Sequence, residues 1–183
     1  MHTLIVDIAQ YLLYVLAAVA AVVWLLLDRA GKVTLAVQAG LGLALVGIGI
    51  LVAAHLHTDP RPFVHDPNSK PFFAHAADNG FPSDHSAAAG LLTALVFWWK
   101  RLVGVLVAAG AALIAWSRVA AHVHHLQDVV AGLLIGAAAG ALAIWVVTLL
   151  VGAARNRGLN MGPLALTTAD RAASRRHRGR GAA

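Results

Sequence analysis

Three short segments of the sequence contain residues whose types and spacing could do chemistry. They are DPRPF (59–63), FPSDH (81–85) and SRVAAHVHHLQD (117–128). They lie in the part of the chain, between His55 and His125, that holds eight of the ten histidines. Imidazole, guanidinium and carboxylate groups gathered in this way predict a site for acid–base, nucleophilic or anion-binding chemistry.

The third segment pairs an imidazole with a carboxylate. His124 and Asp128 are four residues apart, which on a helix would place them on one face, one turn apart. A carboxylate bonded to one imidazole nitrogen fixes the tautomer and leaves the other nitrogen free as a nucleophile. Arg118 would add a cation at the same depth. The segment therefore predicts an activated His124 with Asp128 as its partner.

The second segment opens an apolar stretch. Ser83 occupies the position expected for a helix N-cap, where unpaired N–H groups and the helix dipole favour an anion. The hydroxyl of Ser83 and the backbone amides of Asp84 and His85 could hold an oxyanion, and the His85 imidazole could donate a proton. The alternative is an ordinary capping serine beside a surface histidine.

The first segment places Arg61 between two prolines. Pro60 and Pro62 restrict the backbone and would hold the guanidinium near the membrane surface. A planar guanidinium is suited to binding phosphate. The alternative is an arginine that only extends its side chain to the lipid headgroups.

Composition indicates what must position these residues. The chain has 183 residues, of which 60% are hydrophobic, and its mean hydropathy is +0.74, too apolar for a soluble domain of this length. We predict an all-α fold, a polytopic membrane helix bundle with about five transmembrane helices. The absence of cysteine excludes disulfide and thiolate chemistry. The predicted spans are residues 4–27, 33–56, 85–99, 102–117 and 128–151.

The predicted domains are a transmembrane unit at 1–152 and a basic, disordered tail at 153–183. Five spans place DRAGK, WWKR and the tail on one side, with eleven of the 14 lysines and arginines. The positive-inside rule makes that side cytoplasmic and puts the three segments on the outer side. The resemblance described next implies that the membrane is a bacterial-type plasma membrane. The tail is expected to contact anionic membrane lipids, with no nucleic acid as a partner.

The three segments resemble, in order, the motifs of the type 2 phosphatidic acid phosphatase superfamily. Its third motif is SR, five residues, His, three residues and Asp, as at 117–128. FPSDH is similar to its second motif, PSGH, and PRP is similar to the end of its first, KxxxxxxRP. The resemblance covers about residues 33–150. It is greatest to bacterial undecaprenyl-diphosphate phosphatases of the bacitracin-resistance type.

The resemblance implies a role for each site residue. His124 would be the nucleophile that forms a phosphohistidine, Asp128 would orient it, and His85 would protonate the leaving oxygen. No metal or other cofactor would be required. The substrate would be a lipid phosphate, with undecaprenyl diphosphate preferred over phosphatidate or phosphatidylglycerol phosphate. The phosphoryl oxygens would be held by Arg61, Ser83, Arg118 and the amide of Asp84.

Two positions depart from the family pattern. The family lysine falls at Ala54, and we predict that a protonated His57 replaces its charge, with His55 and Lys70 as alternatives. The motif glycine is Asp84, which could point away from the anion site. It could also orient a base, or hold a second phosphate through a bound cation.

Other functions compatible with these residues are less well supported. Haem ligation needs facing histidines at mid-depth, whereas these lie at one rim. A zinc ion bound by His122, His124 and His125 would need adjacent side chains that point in different directions. A vanadate-dependent haloperoxidase shares the family's pocket, but those proteins are mainly soluble. A non-enzymatic transporter or lipid-binding protein is the remaining alternative.

Overall fold

The computed structural model describes residues 2–66 and 68–157, and its regular structure is helical. This confirms the prediction of an all-α fold. The single-turn helix α3 lies inside the long loop between α2 and α4. The six helices are α1 (His2–Leu25), α2 (Arg29–Leu56), α3 (Pro62–His65), α4 (Asp84–Trp99), α5 (Arg101–Ala120) and α6 (Leu126–Asn156).

The long helices form a bundle suited to a bilayer. Within the described ranges, α1, α2, α5 and α6 are long and apolar enough to cross a membrane. Helix α4 has 16 residues, about 24 Å, and packs mainly against α6 and α5. Large apolar side chains cover the outside of the bundle, for example Leu102, which is 85% exposed. Such a surface is stable against lipid rather than water, which agrees with the predicted polytopic bundle.

Helices α4 and α6 approach closely through glycine. A Cβ atom added at Gly136 would collide with the carbonyl oxygen of Ala87, and one at Gly132 with that of Ser83. Small residues allow membrane helices to pack at this distance. The N-terminus of α4 therefore lies beside the first turn of α6. There the Ser83 N–H donates to the carbonyl oxygen of Asp128 at 3.0 Å.

The bundle has two ends. As the alternation of spans predicted, DRAGK and WWKR lie at one end, and the three segments with chemical residues lie at the other. At one end, Gly31 of the α1–α2 region packs against the ring of Trp99. At the other end, the His2 ring stacks on Phe72 with centroids 4.2 Å apart. The Phe72 N–H donates to the carbonyl oxygen of Ala121 at 3.1 Å. We call this second end, formed by the start of α1, the loop 57–83 and residues 121–125, the cavity end.

Several helix boundaries differ from the prediction. Helix α2 includes Arg29–Lys32, which were expected to be a turn, because an Asp28 carboxylate oxygen accepts from the Gly31 N–H at 2.9 Å and caps the helix. Helix α5 continues to Ala120, so Arg118 lies in its last turn and not in the following connection. Helix α6 extends past the predicted domain boundary at 152. Most of the predicted tail, residues 158–183, lies outside the described residues.

Candidate active site

The cavity end contains a cavity of about 290 Å³ between α2, α4, α5 and the loop 57–83. It is closed at the side by Ile50 and Ala54 of α2 and by Phe81 and Pro82 of the loop. The structure thus brings together five of the predicted site residues, which come from all three segments: Arg61, Asp84, His85, Arg118 and His124.

The predicted imidazole–carboxylate pair is present, although it is not a pair within one helix. His124 precedes α6, whereas Asp128 lies in its first turn. His124 Nδ1 lies 3.3 Å from Asp128 Oδ2, and both side chains are buried. The same oxygen accepts from the backbone N–H of His125 at 2.8 Å, as acidic side chains do at the third position of a helix. Asp128 is therefore positioned by the first turn of α6, and its Oδ2 atom interacts with two donors, His124 Nδ1 and the backbone N–H of His125.

Contacts on both sides fix the tautomer of His124. Arg61 Nη1 lies 3.2 Å from His124 Nε2, and a guanidinium can only donate. The Nε2 atom must therefore accept, and the proton resides on Nδ1, where it is donated to Asp128. The lone pair of Nε2 thus lies inside the cavity, where it accepts from Arg61, and it becomes available as a nucleophile when Arg61 donates to a bound phosphoryl oxygen instead.

The pKa of His124 is consistent with this neutral form. Burial, the largest effect, lowers the pKa of His124 below its ordinary value of 6.5. The hydrogen bond to Asp128 opposes this shift, and the positive charges of Arg118 and Arg61 add to it. The imidazole is therefore unprotonated near neutral pH.

Arg61 is held rigidly at the cavity wall. Its Nη1 donates to the carbonyl oxygen of Val123 at 2.8 Å, and its Nε donates to Asp78 Oδ1 at 2.7 Å. The hydrogen bond from Arg61 lowers the pKa of the exposed Asp78, desolvation opposes this shift, and the charge of Arg61 adds to it. Arg61 precedes α3, whose first residue is Pro62, in agreement with a backbone restricted by proline. Asp78 was not predicted as a site residue.

Arg118 projects from the last turn of α5 into the cavity. It is 2% exposed, and its Nη1 donates to the carbonyl oxygen of Ala9 in α1 at 3.3 Å. Its Nη2 lies 2.9 Å from His75 Nε2, and its guanidinium lies over the ring of Phe73, 5.5 Å from the centroid. Its Nε has no hydrogen-bond partner among the described residues. One donor of Arg118 is thus available to a ligand.

The N-terminus of α4 forms another wall. Ser83 is the N-cap residue as predicted, but its hydroxyl does not cap the helix and is fully buried without a partner in the described chain. His85 is half-buried and lines the cavity beside Arg118 and His124. Asp84 is exposed and also lines the cavity.

His57 does not join the other predicted residues. It is exposed at the end of α2, and its ring contacts Phe81 edge to face at 4.7 Å between centroids. The alternatives His55 and Lys70 are also exposed, and none of the three lines the cavity. Ala54, where the family has lysine, does line it.

Three residues of the loop 57–83 that the sequence analysis missed contribute to the site. His75 and Asp78 line the cavity and contact the two arginines. Asn79 fixes the loop, because its Oδ1 accepts from the N–H groups of Asp59 and Phe81 at 2.9 and 3.0 Å. Their only sequence indication is HAADNG, directly before FPSDH, within the histidine-rich region.

One group among the described residues could hold a metal ion: Asp59, His125 and Asp128. These residues are already paired without a metal. Asp59 Oδ2 lies 2.8 Å from His125 Nδ1 and also accepts from Gln127. Burial raises the pKa of Asp59, but the contacts with Gln127 and His125 outweigh it and lower the pKa overall. The absence of a metal requirement remains a prediction.

An unprotonated imidazole facing two buried arginines and a helix N-terminus, in a membrane bundle, is an arrangement for phosphoryl transfer. The chain belongs to the PAP2 superfamily, whose sequence pattern matches residues 35–152. The predicted resemblance to the type 2 phosphatidic acid phosphatases is thereby confirmed. Together with the relatives described next, this makes the protein a membrane lipid phosphatase in class.

Two relatives of known name share most of the chain. A protein named undecaprenyl-diphosphatase YbjG, from Escherichia coli (strain K12), is 36% identical over 137 residues, which cover 74% of this chain and 68% of that protein. The bacitracin transport permease protein BcrC of Bacillus licheniformis is 28% identical over 145 residues, which cover 79% of this chain and 71% of that protein.

Two solved structures have a similar fold. LpxE from Aquifex aeolicus has a TM-score of 0.62 and 24% identity, and the match covers 79% of this chain and 85% of that chain. A PAP2-type phosphatidylglycerolphosphate phosphatase from Bacillus subtilis has a TM-score of 0.50 and 19% identity, with 78% and 74% covered. At these identities the likeness concerns the fold alone.

Proposed function

We propose that the protein hydrolyses undecaprenyl diphosphate to undecaprenyl phosphate and inorganic phosphate through a phosphohistidine on His124. The observation that carries the proposal is the orientation of this imidazole. Asp128 holds Nδ1, and Nε2 faces Arg61 inside the cavity. The name of the YbjG relative supports the choice of lipid.

In the first step, the lone pair of His124 Nε2 attacks the terminal phosphorus. The bond between that phosphorus and the bridging oxygen breaks, and His85 in its protonated form gives its proton to the leaving oxygen. Undecaprenyl phosphate leaves. The positive charge on the imidazole is stabilised by Asp128, the acceptor at Nδ1.

In the second step, water attacks the phosphorus of the phosphohistidine. His85, now unprotonated, accepts a proton from that water, the bond from phosphorus to Nε2 breaks, and His124 returns to its neutral state. In both steps the charge on the phosphoryl oxygens is stabilised by Arg61 and Arg118, by the Ser83 hydroxyl and by the amide of Asp84. Every proton and electron pair is accounted for without a metal.

The substrate assignment is tested by phosphate release from a panel of lipid phosphates: undecaprenyl diphosphate, undecaprenyl phosphate, phosphatidate and phosphatidylglycerol phosphate. The highest kcat/KM is expected for undecaprenyl diphosphate. His124→Ala serves as the blank and should retain less than a few per cent of the rate, whereas His65→Ala, in exposed α3, should match the wild type. A higher kcat/KM for another lipid would replace the substrate, and an active His124→Ala would exclude the mechanism.

Whether the activity requires a metal ion is tested in the same assay. Activity should persist in EDTA, because His124 and the arginines supply the required groups. If EDTA abolished activity and a divalent ion restored it, the group formed by Asp59, His125 and Asp128 would be the first place to look for that ion.

We further propose that the cavity opens on the extracytoplasmic side of the plasma membrane, with the C-terminus in the cytoplasm. The distribution of lysine and arginine supports this orientation. Because the chain has no cysteine, single substitutions can report it. Asn68→Cys in the loop should react with an impermeant thiol reagent in intact cells, and Ala153→Cys near the end of α6 should not. The reverse pattern would invert the topology.

A further inference from the structure

The cavity lacks one donor that its family pattern supplies. Ala54 occupies the position of the lysine and lines the cavity, but a methyl group cannot bind phosphate. His55, His57 and Lys70, which the sequence suggested as substitutes, do not line the cavity. A replacement donor must therefore come from a residue that does.

His75 has the required position. It lines the cavity, and its ring lies 6.2 Å from the ring of His124 between centroids. Its Nε2 lies 2.9 Å from Arg118 Nη2. His75 therefore stands next to both the nucleophile and a phosphate-binding guanidinium.

The contact with Arg118 determines which nitrogen of His75 carries the proton. A guanidinium donates and cannot accept, so His75 Nε2 must accept and the proton lies on Nδ1. That N–H group is buried and has no hydrogen-bond partner among the described residues. A buried donor without an acceptor is costly, and it is tolerated where a ligand supplies the acceptor.

The surroundings keep His75 neutral before a ligand arrives. Burial lowers the pKa of His75 below its ordinary value, and the charges of Arg61 and Arg118 lower it further. An interaction with the backbone of Ala76 opposes this shift, but its geometry falls short of a full hydrogen bond, and Nδ1 has no other partner among the described residues. A phosphate in the cavity would reverse the local charge and strengthen donation from this imidazole.

We propose that His75 is a phosphate-binding residue whose Nδ1–H donates to a phosphoryl oxygen of the substrate, supplying the donor that Ala54 cannot. The inference rests on the proposed function, because it concerns the same cavity. It makes the HAADNG segment part of the substrate site and not only a connection between α3 and α4.

The test compares two substitutions that separate the Nδ1–H donor from the ring. His75→Phe keeps the ring volume and removes both nitrogens, whereas the side-chain amide of His75→Asn places an N–H donor close to the position of Nδ1. The measurements are kcat, KM and the inhibition constant of inorganic phosphate, together with direct binding of orthovanadate by calorimetry. His65→Ala, an exposed histidine of the same loop, is the matched control.

His75→Phe should raise KM and the phosphate inhibition constant about tenfold or more, as expected for a lost hydrogen bond to a charged group, with a smaller effect on kcat. His75→Asn should recover most of this loss, and His65→Ala should show none. Unchanged phosphate binding in His75→Phe would overturn the proposal. Equal losses in the Phe and Asn variants would also overturn it, because the ring would then have only a structural role.

Other results separate this inference from the function it rests on. If wild-type protein neither releases phosphate from any lipid of the panel nor binds orthovanadate, the proposed function fails and His75 loses its role with it. If wild-type protein does both and His75→Phe behaves identically, only the role of His75 fails. If His75→Phe does not fold, as judged by size exclusion in detergent, His75→Ala replaces it under the same criteria.

Discussion

The two ends of the bundle differ in whether their polar groups have hydrogen-bond partners. At the end formed by the α1–α2 turn and the α4–α5 junction, polar groups are paired locally. Asp28 caps α2, and the indole N–H of Trp24 donates to the carbonyl oxygen of Lys32 at 2.9 Å. The groove nearest that end, about 400 Å³ between α4 and α6, is lined by apolar residues and one threonine.

The cavity end instead accumulates buried polar atoms without partners. Within the described part of the chain, all five such side-chain atoms lie at this end or in the adjoining turns of α4, α5 and α6. They belong to His75, Ser83, Ser86, Arg118 and Asp128. Each unpaired buried group costs about 1–3 kcal/mol. The groove between α4 and α6 is therefore almost wholly apolar. Two of the five residues with unpaired atoms, His75 and Arg118, line the cavity, where a polar ligand could satisfy them.

The largest predicted effect is that of Asp128→Asn at the cavity end, and Asp28→Asn at the other end is its matched control. Asp128→Asn removes the charge that orients His124 and should lower kcat about 100-fold, or about 2.7 kcal/mol of transition-state stabilisation. Asp28→Asn should leave kcat unchanged, because asparagine caps a helix as well as aspartate does. Steady-state assays of both variants check this. Similar rates for the two would remove the functional distinction between the ends.

The close approach of α4 and α6 should be the next most sensitive feature. Gly136→Ala forces a methyl group against the carbonyl oxygen of Ala87 and should lower the free energy of unfolding by about 1–3 kcal/mol. Gly40→Ala, where a Cβ atom meets nothing within 4 Å, is the control and should be neutral or slightly stabilising. Thermal unfolding in detergent measures both. A neutral Gly136→Ala would show that the close approach of α4 and α6 at Ala87 does not contribute to stability.

A smaller effect is expected where the chain leaves α5. His122 has φ 59°, and the N–H groups of His122 and Val123 donate to the carbonyl oxygens of Val119 and Arg118. This is a Schellman ending, which favours glycine at the left-handed position. His122→Gly should raise the free energy of unfolding by about 0.5–1 kcal/mol relative to His122→Ala, since glycine lacks the left-handed strain. A more stable His122→Ala variant would contradict the claim that the left-handed backbone at this position favours glycine.

The parts of this molecule that were predictable from sequence are those set by local pattern. The apolar runs predicted the helix bundle, and the spacing of Arg118, His124 and Asp128 predicted the residues at the centre of the site. The helix ends were displaced because side chains such as Asp28 extend a helix by capping it. His124 and Asp128 do meet, although the turn before α6 brings them together and not a shared helical face.

The loop 57–83 was less predictable because distant contacts shape it. Asn79 bonds to backbone groups of Ala54, His57 and Asp59, up to 25 positions away, and this pairing sets where His75 and Asp78 lie. Contacts between residues so far apart leave no periodic pattern in the sequence from which they could be predicted. His57 was chosen for its distance along α2, but its ring contacts Phe81 and does not line the cavity.

The central claim is that the phosphoryl group passes through His124, and stereochemistry at phosphorus tests it most directly. A substrate whose terminal thiophosphoryl group is made chiral with two oxygen isotopes would be hydrolysed by the wild-type protein in water that carries the third isotope. Two successive in-line displacements, first by His124 Nε2 and then by water, predict retention of configuration. Inversion would mean that water attacks the lipid phosphate directly, and it would contradict the phosphohistidine mechanism.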